Sequence, residues 1–175
     1  MDLGKRTPVS YKLNTRQIVV IGMLSSISII LGITGYGFIP LPIAKATIMH
    51  LPVIIGAISE GPVVGAMVGL IFGVFSIFQN ISNPSLLSFA FLNPLVSVLP
   101  RILIGITSYY FYRIAAQKSK ALGIGLGAAV GSLTNTFGVL GMIYLLYAAR
   151  YAEVNNIAVG TAGKVIFGIA LTNGI

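Results

Sequence analysis

Long apolar runs, separated by short polar or proline- and glycine-rich stretches, set the pattern of this chain. They cover about residues 18–36, 44–59, 63–79, 95–112, 122–148 and 158–175. Each approaches the roughly 20 residues that an α-helix needs to cross the hydrocarbon core of a bilayer. The pattern predicts an all-α membrane protein: one domain over residues 1–175, a compact bundle of six transmembrane helices behind a polar segment at residues 1–15. The first run follows Lys5, Arg6, Lys12 and Arg16, as a signal peptide would. No small-x-small cleavage site closes it, however, and apolar runs continue after it, so it is read as a helix that stays. The second run is short unless it begins near Ala44. The last stops abruptly at Ile175, short for a crossing, as though the natural terminus lay further on.

The interruptions carry as much information as the runs. Gly35-Tyr36-Gly37-Phe38-Ile39-Pro40-Leu41-Pro42 breaks a helix with two prolines and two glycines while staying apolar, which predicts a lid loop partly inserted in the membrane after the first helix. Glu60-Gly61-Pro62 is a tight connection, with proline placed to open the next helix. Gly65, Gly69 and Gly73 then recur every four residues, a ridge that lets a second helix approach closely. Residues 80–94 are uncharged and rich in Asn, Ser and Pro, which predicts a loop with a possible half-helix over 86–92. Pro100-Arg101 interrupts the start of the fourth run, Tyr109, Tyr110 and Tyr112 form an aromatic belt near its end, and residues 150–156 make a last polar loop.

Composition narrows the class. Hydrophobic residues make up 56% of the chain and charged residues 8%, with three acidic against eleven basic side chains. An ordinary soluble domain is about a quarter charged. The net charge of +8 does not imply nucleic acid, because the cations cluster before the first run and at Arg113, Lys118 and Lys120 rather than along a soluble face with interleaved aromatics. That clustering is what the positive-inside rule describes, and it predicts a cytoplasmic N-terminus and a cytoplasmic 113–120 connection. The lid, the 80–94 loop and the 150–156 loop then share the outer side, where a binding site is expected. With no cysteine, neither a disulfide nor a thiolate metal site is available.

Ionisable residues at membrane depth usually face a cavity or a partner. Arg101 lies about one turn into an outward-starting helix, near Asn93 and Ser97. It would either clamp a carboxylate or phosphate, which its planar fork suits, or snorkel to the headgroups. Lys45 offers a second cation from the lid, or a solvated loop lysine. His50, the only histidine, lacks the companions of a metal site and reads as packed and hydrogen-bonded. Asn135, in mid-helix, needs a partner on another helix or on a ligand. Glu60 and Glu153 read as solvated or capping. Gly22 and Ser26 form a small-residue face on the first helix, for packing within the bundle or for docking a partner. Paired intramembrane carboxylates, GxSxG, HExxH and a Walker A lysine are all missing from the sequence. No cofactor is implied, and transport would draw its energy from a partner.

The run Ile48-Met49-His50-Leu51-Pro52-Val53-Ile54-Ile55-Gly56-Ala57, with Glu60-Gly61-Pro62-Val63-Val64-Gly65-Ala66, Gly69 and Gly73, resembles the substrate-binding S component of energy-coupling factor (ECF) vitamin transporters. So does Asn93-Pro94-Leu95-Val96-Ser97-Val98-Leu99-Pro100-Arg101-Ile102-Leu103-Ile104-Gly105. The segment from His50 to Ala57 looks most like the pantothenate-specific members. The resemblance implies a six-helix cell-membrane protein that binds a vitamin beneath its outer loops. It also implies association with a membrane T component and two cytoplasmic ATPases, and tipping in the membrane to deliver the vitamin. Docking in that family uses an alanine-x-x-x-alanine pattern on the first helix, a place held here by Gly22 and Ser26.

For pantothenate, Arg101 together with Lys45 would meet the carboxylate. Asn93, Asn135 and Tyr144 would serve the polar middle, Phe38 of the lid would cover the gem-dimethyl end, and His50 would complete the substrate-binding set. Other vitamins (folate, riboflavin or a cobalamin) are the nearest alternatives, and the absence of tryptophan disfavours ligands that need stacking. An intramembrane enzyme using His50 with Glu60 would need groups about 15 Å apart along a helix to cooperate. A small channel would need a polar stripe, which only the fifth run carries, at Ser132, Thr134, Asn135 and Thr136.

Overall fold

The computed structural model describes residues 13–40, 45–82, 88–154 and 164. Apart from residue 164, the sixth apolar run lies outside the described residues, as do the polar leading segment up to residue 12, residues 41–44 of the expected lid and the centre of the 80–94 loop. Among those described, four helical segments are long and apolar enough to cross a membrane: Thr15–Thr34, Pro62–Ser82, Pro94–Ala116 and Lys120–Tyr147. We label the helices α1 (Thr15–Thr34), α2 (Leu51–Glu60), α3 (Pro62–Ser82), α4 (Ser88–Phe91), α5 (Pro94–Ser97), α6 (Leu99–Ala116) and α7 (Lys120–Val154).

Local chemistry accounts for the boundaries. Asn14 and Gln17 close a capping box at the start of α1, and Gly35 ends it in the left-handed region at φ 75°. The segment after α1 is not an irregular loop but a two-stranded antiparallel hairpin, β1 (Phe38–Pro40) against β2 (Lys45–Thr47), with Phe38 opposite Thr47 and Pro40 opposite Lys45. Pairing the strands satisfies backbone groups that a bare loop would leave open near lipid. Gly37 roots the hairpin, its N–H donating to Leu31 O at 2.9 Å and its carbonyl accepting from Ile48 N at 2.9 Å. A Cβ at Gly37 would lie 2.5 Å from Met49 Cγ.

The hairpin also delays α2. That helix starts at Leu51 rather than near Ala44, with Pro52 in its first turn. Its ten residues reach about 15 Å, half of a hydrocarbon core. Beyond Gly61, at φ 102°, Pro62 opens α3. At the other end of the chain, α7 runs past the expected break at residue 150 to Val154, kinked at Tyr147 (φ −136°, ψ 22°).

The centre of the bundle is where α3 meets α6. Gly73 has room for no side chain, because a Cβ there would lie 2.7 Å from Val98 Cα. A Cβ at Gly69 would collide with the Arg101 carbonyl, and one at Gly105 with the Gly65 backbone. The glycine ridge thus brings two backbones into contact. Around it, Ile21, Met49, Val53, Ile54, Val64, Val68, Phe72 and Ile104 form the main core. A second cluster, Ala90, Val96, Val139 and Ile143, joins α4, α5 and α7. Gly69→Ala is expected to destabilise the protein by about 1–3 kcal/mol through overpacking, seen as a lower melting temperature in detergent. Gly22→Ala, whose Cβ would meet nothing within 4 Å, should leave that temperature unchanged.

The bundle has two unlike ends. At one, Arg16 pairs with Glu60 at 2.6 Å and Gln17 Nε2 donates to Glu60 O at 3.4 Å, so Glu60 is an ion-pair partner rather than a solvated loop acid. Arg113, Lys118 and Lys120 are exposed at the same end, on the α6–α7 turn. The other end carries the hairpin, α4, α5 and the Tyr147 kink.

Candidate functional site

At the hairpin end a cation is buried inside the helix bundle. Arg101 is only 6% exposed, so its head does not snorkel to the membrane surface. Nη1 donates to Val96 O at 3.0 Å. That carbonyl is available because the residue four positions on is Pro100, which has no N–H to offer it. The rings of Phe72 and Phe91 each lie 5.6 Å from the guanidinium carbon, within range of cation–π attraction. Nε is buried without a hydrogen-bond partner. The ion pair found among the described residues lies at the opposite end, between Arg16 and Glu60. Val96 thus occupies Nη1 and leaves the edge formed by Nε and Nη2, the edge that suits a bidentate carboxylate. A buried charge lacking such a counter-ion is costly.

The other expected residues divide by placement. Asn135 stands one turn before Gly138 on α7, and a Cβ at Gly138 would lie 3.0 Å from Pro100 Cβ. This puts Asn135 on the helix face that packs against α6. Its Oδ1 is buried with no hydrogen-bond partner, an acceptor facing the interior. His50, 8% exposed, shares a hydrogen bond between Nε2 and Ser132 Oγ at 3.0 Å, tying the start of α2 to the same face of α7. Thr107 and Thr134 fasten α6 to α7 at 3.0 Å between hydroxyls.

Asn93 is committed to structure. Its Oδ1 caps α5 by accepting from Leu95 N at 3.0 Å, and its Nδ2 donates to the Tyr147 hydroxyl at 3.1 Å. Tyr144, at 45% exposure, lies on the outer flank of α7. Tyr147, which no motif in the sequence marks, takes the inward position and meets Phe89 edge to face at 5.5 Å. Phe38 and Lys45 stand in β1 and β2 of the hairpin. Phe72 and Val96 were also passed over. Phe72 sits between Gly69 and Gly73 on the ridge facing α6, and Val96 four residues before Pro100, so both could have been found from motifs already visible.

An apolar groove of about 340 Å³ runs along the outer flank of α5 and α6, lined by Pro94, Leu95, Val98, Leu99, Ile102 and Leu103. It excludes Arg101 and holds no group suited to a charged ligand. No cluster of three His, Cys, Asp or Glu side chains exists among the described residues.

The architecture defines a multi-pass membrane protein with a buried cation and an unpaired buried acceptor inside its bundle. The chain belongs to the family of ECF transporter substrate-specific components, whose profile matches residues 16–175; it is a transporter subunit, not an enzyme. It is 33% identical over 156 residues to the pantothenic acid transporter PanT of Lactococcus lactis subsp. cremoris, covering 78% of each chain. It is 35% identical over 113 residues to the pantothenate transporter PanT of Leuconostoc mesenteroides subsp. mesenteroides, covering 59% of this chain and 55% of that one.

Proposed function

We propose that this subunit binds pantothenate at the hairpin end and delivers it within an ECF complex containing a T component and two ATPases. The observation that carries the reading is Arg101: a buried guanidinium with one corner held by a backbone carbonyl and its Nε without a hydrogen-bond partner. A carboxylate on that edge gains from low dielectric and bidentate geometry together. Asn135 Oδ1 would accept from a hydroxyl or the amide N–H of the ligand, and the Tyr147 hydroxyl, already accepting from Asn93, retains its own proton to donate. The hairpin, with Phe38 and Lys45, would close over the solute. The similarity to two pantothenate transporters points the same way. Larger aromatic vitamins find less support, because the Phe72 and Phe91 rings are turned to the guanidinium.

The exposed cations at the opposite end support a cytoplasmic N-terminus and an extracellular hairpin. Gly22 and Ser26 support docking: both are exposed on α1, and Ser26 Oγ returns its proton to Gly22 O at 2.8 Å. The test is binding of a radiolabelled panel (pantothenate, folate, riboflavin, cobalamin) to the purified subunit. Saturable binding of pantothenate that the other three do not displace is expected. Preferential binding of another vitamin would overturn the assignment.

A further inference from the structure

We propose that Pro100 is a positioning residue of the anion site, acting by leaving the Val96 carbonyl free to hold the Arg101 guanidinium; this rests on the reading of Arg101 as the ligand's counter-ion. In an uninterrupted helix the N–H of residue 100 would reach Val96 O. The ladder holds two residues to either side, Val98 N to Pro94 O at 2.8 Å and Ile102 N to Val98 O at 3.1 Å, and is interrupted between them, where α5 gives way to α6. At the middle of that interruption the bond to Val96 O cannot form, because proline has no donor. A buried carbonyl left open in this way must find another partner. It finds Arg101 Nη1 at 3.0 Å, from the residue immediately after the proline.

The consequence is orientation. With Nη1 fixed to Val96 O, and Phe72 and Phe91 both 5.6 Å from the guanidinium carbon, rotation of the planar group is restricted. The edge carrying Nε keeps one direction. A freely rotating guanidinium would have to lose that freedom on binding, which weakens affinity. Pro100 is itself fully buried against Gly138, so the break is built into the wall between α6 and α7 rather than lying at a loose helix end.

The experiment compares two ligands on four proteins: wild type, Pro100→Ala, Arg101→Ala and the double variant, with pantothenate and with pantothenol, which has a hydroxymethyl group in place of the carboxylate. Alanine restores the N–H that competes for Val96 O. Pro100→Ala should weaken pantothenate binding about tenfold, shift pantothenol by less than about twofold, and add no further loss for pantothenate once Arg101 is alanine. Equal losses for both ligands, or no loss for either, overturn the positioning role while the anion-site reading stands. Unchanged pantothenate binding by Arg101→Ala overturns both. One arm needs no substitution: in arginine-labelled wild-type protein, the two Nη groups of Arg101 should give separate NMR resonances. A single averaged resonance overturns the anchor, even if Pro100→Ala does not fold.

Discussion

Arg101→Ala should bind pantothenate at least about a hundredfold more weakly than wild type, because truncating one partner of a buried charge pair costs several kcal/mol. The loss has two sources. The carboxylate would enter an apolar wall with no cation to meet it, and the Val96 carbonyl would lose its donor. Arg101→Lys should fall between alanine and wild type. A lysine ammonium keeps the charge, but it cannot hold Val96 O and a carboxylate fork in one plane, nor offer a planar face to a phenyl ring. Titration of the purified variants by calorimetry or equilibrium dialysis gives the order directly. An alanine variant that folds and binds pantothenate as tightly as wild type would move the anion to another cation, with Lys45 and Arg150 the positions to test.

The second large effect is expected at the other functional surface. Replacing Gly22 and Ser26 together by leucine should abolish pantothenate uptake by cells while leaving binding to the isolated subunit near wild type. Gly22 has nothing within 4 Å of where its Cβ would be, so bulk added there does not press on the bundle. The exposed Val19, Met23, Ile27, Ile30 and Ile33 flank the pair, making a flat apolar helix face with a small-residue notch that lets another helix approach. Leucines would fill the notch and hold that helix away. Loss of ligand binding alongside uptake would instead assign the pair to packing within the subunit, and cell uptake measured beside binding separates the two.

What the sequence made legible follows from the range of the interactions involved. The long helices α1, α3 and α6 show in apolar runs, and the glycine ridge shows because a four-residue repeat is a property of one helix alone. The Pro100-Arg101 pair was visible for the same reason, since proline acts on the carbonyl four residues before it. The misplaced features depend on contacts between distant segments or on deviations from regular geometry. Strands of three residues are too short for an alternating pattern, so the hairpin was read as an irregular lid and α2 began too early. Tyr144 and Tyr147 are near neighbours on an ideal helix, and only the kink at Tyr147 decides which one turns inward. The bond from Asn93 to Tyr147 was not legible because it depends on where α7 passes. Glu60 looked solvated because its partner, Arg16, is 44 residues away in sequence and meets it only once α1 packs beside α2.

The turn between α6 and α7 concentrates the charge that would resist entry into a bilayer. Lys118 and Lys120 sit on that turn with Arg113 one to two helical turns away, all exposed, and Ala116 packs against Gly123 to keep the corner tight. Drawing such side chains to the bilayer centre costs about 2.5–3.5 kcal/mol each. Motion of the bundle as a body is therefore cheapest when this corner stays at the water–lipid boundary and serves as the pivot. Were the bundle to tilt about it, the end that holds Arg101 would describe the longest arc.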